Sequence, residues 1–169
     1  MLSSEHRVRP ALPEDVPRLI EHMRALAEFE EYLGEFRVDE KALLARAFGE
    51  CPECHIFVAQ HGEDIAGYAV GLTITFTYDL RPTVVLKELF VAASHRGNGV
   101  GAALLRHVAA WTLSRGGARL KWDVMVGNHR AEAFYRQHGG CPDGKWMPYQ
   151  MGEEGLKAFA GMECGFSGY

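Results

Sequence analysis

The sequence predicts an α/β or α+β fold built around a mixed sheet. Two segments of helical periodicity come early in the chain, three strand-like segments follow, and strands and helices then alternate to the C-terminus. A glycine-rich segment separates the third of those strand-like segments from the helix after it. The resulting order, β-α-α-β-β-β-α-β-α-β-α, is typical of helices packed on a sheet with parallel and antiparallel strands.

The first third of the chain supplies a short strand and two helices. Residues 7–9 fit a strand, and apolar residues at helical spacing over 16–27, with Pro13 near the start, indicate the first helix. A second helix is predicted over 39–48. Asp39 is its N-cap, because a short side-chain oxygen can accept from the first free N–H groups, and Gly49 ends it.

The rest of the chain alternates between strand and helix patterns. Strands over 55–60 and 65–76, joined by the turn 61–64, predict a hairpin, and residues 83–91 form a further strand. The helix after the glycine-rich segment ends at Gly116-Gly117, and its inner face comprises Gly101, Leu104, Leu105, Val108 and either Trp111 or Thr112. The remaining predicted elements are a strand over 120–126, a helix over 130–138 capped by Asn128, a strand over 145–151 and a helix over 153–160.

Composition limits the classes of protein that the chain can belong to. A length of 169 residues, 47% of them hydrophobic, predicts one domain, 1–169, with its own core. The net charge of −4 argues against a nucleic-acid partner and suits a cationic substrate. No apolar run reaches the roughly 18 residues of a membrane span, and residues 1–10 lack an apolar signal core. We therefore expect a cytoplasmic protein with reduced cysteines and no membrane partner.

The glycine-rich segment, residues 96–102, is the most informative part of the sequence. Its glycines let backbone N–H groups turn toward one point, the following helix N-terminus adds a partial positive charge, and Arg96 adds a full one. The expected ligand is a phosphate or pyrophosphate. Two other interpretations remain open: a structural turn without a ligand, and a dinucleotide loop, since Gly97-x-Gly99-x-x-Ala102 with Asp123 further on matches that fingerprint.

A third interpretation comes from a family. The segment Arg-Gly-Asn-Gly-Val-Gly at 96–101 resembles the Arg/Gln-x-x-Gly-x-Gly/Ala loop of the GNAT superfamily of N-acetyltransferases, and the order of elements is similar too. The resemblance implies a mainly antiparallel central sheet with helices on both faces. It also implies acetyl-CoA as the acetyl donor, its pyrophosphate held by the N–H groups of the loop.

A second motif lies in residues 128–140. It is similar to the family's Asn followed by Ala-x-x-Phe-Tyr-x-x-x-Gly. The resemblance implies that Tyr135 points at the sulfur of CoA and acts as general acid. The chemistry needs such a group, because a phenol of pKa about 10 can protonate the departing thiolate.

Further segments resemble the spermidine/spermine (diamine) acetyltransferase branch. They are residues 25–30, 76–79 and 86–91, together with Trp146 and the terminal helix, so that the resemblance covers about residues 7–160 and leaves 161–169 as a tail. It implies a homodimer that binds a diamine or polyamine with acidic residues.

The same resemblance assigns individual residues. Tyr135 and Glu88 are the candidate catalytic residues, with Glu88 or Glu30 as the group that accepts the proton of the amine. The candidate acetyl-CoA contacts are Leu89, Phe90, Val91, Arg96, Gly97, Asn98, Gly99, Val100, Gly101, Ala102, Asn128, His129, Arg130 and Ala131. The candidate substrate contacts are Phe29, Glu30, Lys87, Asp123 and Asp143, and no metal is expected.

Lys87 departs from the pattern of the branch, which has an acid at that position. A base there repels a polyamine unless it faces away from the site. Strict strand alternation places Lys87 and Glu88 on opposite faces, whereas a β-bulge would change that. Lysine-like amines, other diamines and amino-acid analogues therefore remain open as substrates.

Two features favour other classes of protein. Residues 51–55 read C-x-x-C-H, a haem-attachment, zinc or redox pattern, but no second ligand pair accompanies it. The glycine loop alone also fits a nonenzymatic acyl-CoA-binding module or an NAD-type oxidoreductase. Thiol release from acetyl-CoA across a panel of amines separates an acetyltransferase from both.

Overall fold

The computed structural model describes residues 6–161 and divides the chain into two compact units, one ending at Ala131 and the other beginning at Glu132. The prediction of a single domain stays a prediction. Within residues 6–161 the strands are β1 (Arg7–Pro10), β2 (His55–His61), β3 (Asp64–Ile74), β4 (Thr83–Val91) and β5 (Arg119–Lys121). The α-helices are α1 (Val16–Phe29), α2 (Glu40–Phe48), α3 (Val100–Ser114), α4 (His129–Gln137) and α5 (Glu153–Phe159).

The strands form one sheet in the order β1-β2-β3-β4-β5. The first three pairs are antiparallel and the pair β4–β5 is parallel. The predicted mixed, mainly antiparallel sheet is therefore confirmed. Parallel pairing requires a crossover, and α3 provides it between β4 and β5.

One face of the sheet carries α1 and α2. Leu19 and Met23 of α1 are buried against side chains that alternate along the strands, such as Val58, Tyr68 and Val70. These residues belong to one apolar cluster, which forms because the period of α1 matches the inward positions of β2 and β3.

The opposite face carries α3. Residues with little or no side chain let this helix approach β3: a Cβ on Gly67 would lie 3.4 Å from Leu104, and one on Gly71 would lie 3.3 Å from Trp111. Phe57 of β2 completes the contact, with its ring 5.3 Å from that of Trp111. Helices on both faces are thus confirmed.

Local signals predicted most element boundaries. Asp39 accepts a 2.7 Å hydrogen bond from the N–H of Ala42 and caps α2 as expected. The hairpin β2–β3 turns at Gly62, whose φ of 61° favours glycine. Strand β4 has the predicted bounds, Thr83–Val91.

One predicted strand is shorter than expected and another is absent. The strand predicted over 120–126 is reduced to β5, and residues 145–151, within the described part of the chain, form no strand. The partner explains the first difference: β5 pairs with β4 only as far as Val85 and Lys121, and β4 then bulges at Lys87. A bulge bends its strand, so the apolar alternation beyond Lys121 has no regular edge to join.

The bulge also changes which residues of β4 share a face of the sheet. Val70 and Gly71, adjacent on β3, point to opposite faces, and their partners on β4 are Glu88 and Leu86. Lys87 is the extra residue between those partners. The strict alternation expected at Lys87 and Glu88 does not hold, because two residues of β4 stand opposite one of β3.

Candidate active site

Glu88 is the centre of an acidic cluster, which consists of Glu88 and Glu30, on the α1 face of the sheet. Its carboxylate is half-buried and accepts a 2.7 Å hydrogen bond from the hydroxyl of Tyr68, which is fully buried on β3. Burial raises the pKa of Glu88, while the hydrogen bond from Tyr68 and the charge of Lys87 lower it and the charge of Glu30 raises it. The carboxyl group is thus poised to hold a proton more readily than an ordinary glutamate.

The end of α1 brings Glu30 to the same cluster. Glu31 adopts a positive φ of 63°, and the N–H of Tyr32 donates to the carbonyl of Ala27 at 2.9 Å, a helix-ending turn that is unusual without glycine. Glu30 is exposed, and desolvation by its surroundings raises the pKa of its carboxyl while Lys87 lowers it. Phe29, beside it, is 54% exposed and free to contact a ligand.

The C-terminal half of β4 presents an open edge. The N–H of Ala92 donates to the carbonyl of Ala66. Every second residue of a strand points its backbone N–H and C=O to the same side, so those of Phe90 also point toward β3. Those of Leu89 and Val91 point the other way, where none of the described strands pairs with β4 beyond Val85. These two residues are the predicted backbone contacts of acetyl-CoA. Phe90 differs, because its side chain is buried in the core.

The glycine loop follows β4 after a 3-10 helix, Ala93–His95. Gly97 and Gly99 both have a φ of 78°, and a Cβ on either would meet nothing within 4 Å. Gly99 is the N-cap of α3 without a side-chain oxygen, so the first N–H groups of the helix, from Val100 on, keep no side-chain acceptor. The guanidinium of Arg96 donates to the carbonyl of Val91 at 2.9 Å and ties the loop to the strand.

The loop therefore fits the pyrophosphate of a CoA ester. Exposed backbone donors, a helix N-terminus and a cation meet at one place, as anion binding requires. The predicted contacts Arg96, Gly97, Asn98 and Gly99 are exposed, Gly101 and Ala102 are half-buried, and Val100 is buried in the core.

The segment before α4 contains further predicted residues. The side chain of Asn128 accepts a 3.1 Å hydrogen bond from the N–H of Ala131 and caps α4, as predicted. His129 and Arg130 are exposed in the first turn. Asp123 is exposed and lies outside β5 rather than in mid-strand.

Two predicted residues lie in the smaller unit. Tyr135 is half-buried in α4 and its ring lies 5.2 Å from that of Phe134. Asp143 is exposed and accepts a 3.1 Å hydrogen bond from the N–H of Lys145. Their catalytic and substrate-binding roles remain predictions.

Sequence reasoning missed Tyr68 and Tyr32. The hydroxyl of Tyr68 donates a hydrogen bond to Glu88. Burial is the main cause that raises the pKa of Tyr32, and the charges of Glu88 and Glu30 raise it further, so this phenol is within their electrostatic reach. One signal was available: a tyrosine at an inward position of a strand needs a partner for its hydroxyl. The identity of that partner, 20 residues away, is a tertiary fact.

Other features of the described residues give no competing site. A cavity of about 280 Å³ lies among Phe57, His107, Trp111 and their neighbours and contains none of the predicted site residues. Cys51 and Cys54 are free thiols, and the ring of His55 packs 4.8 Å from Trp111. Residues 6–161 contain no group of three or more potential ligands arranged for a metal ion. In the same range, no helix combines the length and apolarity that crossing a membrane requires.

Comparison with known proteins identifies the family. The model of the acetyltransferase (GNAT) family matches residues 21–139, more than half of the chain. The thialysine N-epsilon-acetyltransferase of Mus musculus is 28% identical over 166 residues, which cover 92% of this chain and 97% of that protein. The spermidine/spermine N(1)-acetyltransferase-like protein 1 of Homo sapiens is 22% identical over 142 residues, 79% of this chain and 20% of that protein.

Solved structures support the fold. An integron cassette protein from V. cholerae superimposes with a TM-score of 0.76 at 23% identity, over 91% of this chain and 96% of that one. An aminoglycoside acetyltransferase from a soil metagenomic sample superimposes with a TM-score of 0.73 at 16% identity, over 86% of this chain and 95% of that one. The family model covers most of the chain, and the sheet, the helices on its two faces and the glycine loop agree with that family. This chain is therefore an acetyltransferase of the GNAT family.

Proposed function

We propose that the enzyme transfers the acetyl group of acetyl-CoA to a primary amine of a small molecule, a diamine, a polyamine or a lysine-like amine, by direct attack in a ternary complex. The observation that carries this is the position of Glu88. It is a half-buried carboxylate, held by Tyr68, on the strand whose open edge leads into the glycine loop. The names of relatives that act on thialysine and on spermidine/spermine support an amine as acceptor.

The first task of the site is to remove a proton. A primary amine of pKa about 10.4 is neutral in only about one molecule in a few thousand at pH 7, so that exposing its lone pair costs roughly 4 to 5 kcal/mol. Glu88 accepts that proton, directly or through water, because burial raises the pKa of its carboxyl toward the working range of a general base. Glu30, exposed at the end of α1, attracts the cationic substrate.

The second task is to support the transfer. The amine nitrogen forms a bond to the acetyl carbon as the carbon–sulfur bond of the thioester breaks, and the products are an N-acetylamine and CoA. The N–H of Val91 on the open edge of β4 polarises the carbonyl oxygen. Tyr135 gives its phenolic proton to the departing sulfur, and the proton that the nitrogen loses as the amide forms restores the phenol. The assignment of Tyr135 depends on the sequence motif at 128–140.

The experiment is thiol release from acetyl-CoA over a panel containing spermidine, putrescine, lysine and thialysine. We expect release with at least one of them, a loss of turnover in Glu88→Gln and Tyr135→Phe, and unchanged binding of acetyl-CoA by calorimetry in Tyr135→Phe. Tyr149→Phe is the control, since it removes a phenolic hydroxyl from another, 92% exposed tyrosine of the smaller unit. Full turnover in Tyr135→Phe contradicts its role, and no release with any amine contradicts the function.

We also infer that residues 1–169 form one domain, that two copies form a homodimer, and that the enzyme works in the cytoplasm without a nucleic-acid or membrane partner. The net charge of −4 supports a cationic rather than an anionic partner. Fractionation of cells that produce the protein tests the compartment.

A further inference from the structure

We propose that Lys87 binds the carboxylate of the amine substrate, so that the enzyme prefers amino acids with a terminal amine to diamines and polyamines of the same length. This inference rests on the proposed function and specifies its substrate class. It concerns a residue at which the chain departs from the acidic pattern of the diamine branch.

The geometry of β4 makes Lys87 part of the site. Lys87 is the extra residue of the bulge, between Leu86, which pairs with Gly71, and Glu88, which pairs with Val70. Its side chain is exposed, whereas Glu88 is half-buried on the α1 face. A bulge breaks the alternation that would turn Lys87 away from Glu88, and it lets neighbouring side chains serve one site.

Electrostatics supports the same placement. The charge of Lys87 lowers the pKa of Glu88 and also that of Glu30, so that its ammonium group is within reach of both carboxylates. These two residues come from different elements, β4 and the end of α1. The charge of Lys87 therefore acts on carboxylates from two different elements.

The charges of the cluster match one class of amine. Two carboxylates and one ammonium complement a molecule with two ammonium groups and one carboxylate, which is the charge pattern of lysine. The reacting terminal amine lies at Glu88, the α-ammonium at Glu30 and the α-carboxylate at Lys87. A diamine lacks the carboxylate and leaves Lys87 facing a cation, which is unfavourable.

The test uses a pair of compounds that differ only in the carboxylate, L-lysine and 1,5-diaminopentane. We measure kcat/KM for both with the wild-type chain, with Lys87→Glu and with Lys87→Met. The wild type should prefer lysine. Lys87→Met should lose that preference, and Lys87→Glu should shift the ratio toward the diamine by roughly tenfold or more, since it replaces an attraction with a repulsion.

Arg7→Glu is the matched control. It changes the net charge by the same amount at an exposed position of β1, which two strands separate from β4. The ratio of its kcat/KM for L-lysine to that for 1,5-diaminopentane should equal the wild-type ratio. Thermal unfolding verifies that each variant is folded.

Each outcome decides between the hypotheses. Acetylation of both compounds with a ratio that Lys87→Glu leaves unchanged overturns the role of Lys87 and leaves the proposed function intact. A wild-type preference for the diamine does the same. Failure of the wild type to acetylate any amine overturns the proposed function, and the inference with it.

Discussion

The hydroxyl of Tyr68 illustrates how single residues prepare the site. A fully buried phenol must find a hydrogen-bond partner, and the partner here is Glu88. His22 lies next to it, nearly parallel at 6.5 Å, with its Nε2 2.7 Å from the carbonyl of Ile65. Burial lowers the pKa of His22, so the imidazole stays neutral and donates to that carbonyl. Tyr68 thereby keeps one position and holds the carboxylate in one orientation.

Replacing Tyr68 with Phe should shift the pH dependence of the enzyme. The hydrogen bond from Tyr68 lowers the pKa of Glu88, so its loss raises that pKa. A general base must be deprotonated, and the acid limb of the kcat/KM profile should therefore move to higher pH. Below the limb, kcat/KM should fall on the order of tenfold, as for the loss of a hydrogen bond to a charged group.

Steady-state kinetics between pH 5 and 9 checks this prediction. Tyr78→Phe serves as the control, because Tyr78 is 90% exposed and its hydroxyl accepts a hydrogen bond from Arg119, whereas the hydroxyl of Tyr68 donates one to Glu88. An acid limb that stays in place in Tyr68→Phe would show that the hydrogen bond does not act on the base.

At the scale of elements, the glycine loop joins the open edge of β4 to the N-terminus of α3. Its backbone conformation, with a φ of 78° at Gly97 and at Gly99, is accessible to glycine at little cost. A 3-10 helix, Ala93–His95, separates the end of β4 from this loop. The two regions proposed to hold CoA therefore lie close together in the sequence.

Gly99→Ala should weaken CoA binding more than it weakens the fold. A Cβ would meet nothing within 4 Å, so the cost in stability comes from the positive φ alone and should be roughly 1 to 2 kcal/mol. A loop that relaxes toward negative φ turns its N–H groups away, and the Kd for CoA should rise at least about tenfold with the loss of one or two such donors.

Gly62→Ala is the matched variant. Gly62, in the β2–β3 turn, has a φ of 61° and equally open surroundings. Urea unfolding should give similar losses of stability for the two variants, whereas calorimetry should show weaker CoA binding only for Gly99→Ala. Equal affinities would mean that the loop does not hold the pyrophosphate.

At the scale of the whole molecule, the smaller unit exposes many apolar side chains. Trp146 is 67% exposed, Met147 76% and Phe159 87%. Exposed apolar side chains that gather into one large patch mark an association surface. This supports the homodimer that the family resemblance predicts.

The protein should therefore have twice the chain mass of 18.8 kDa in solution. Light scattering after size-exclusion chromatography measures it. Trp146→Asp combined with Phe159→Asp should shift the population toward the monomer, because burying an unpaired carboxylate is costly. A wild-type mass of one chain at every concentration would contradict the dimer.

How far the sequence reaches is visible in particular residues. Asp39, Gly62 and Asn128 act within a few positions of themselves, and their roles as cap or turn were predictable from residue type and spacing. The glycine loop was predictable for the same reason. The strand predicted over 120–126 was too long and the one over 145–151 is absent, because a strand needs a partner edge and apolar alternation does not supply one.

Residue type and spacing alone predicted the fold class, the order of elements up to α4, the glycine loop and the family resemblance, since periodicity, caps and glycines act over short stretches of chain. The surroundings of Glu88 and Lys87, in contrast, depend on residues that are distant in the sequence. The bulge that places Lys87 arises from the pairing of β3 with β4, and the bond from Tyr68 to Glu88 joins residues 20 positions apart. Strand pairing and burial are set by the whole unit, and they control the surroundings of Glu88 and therefore its pKa.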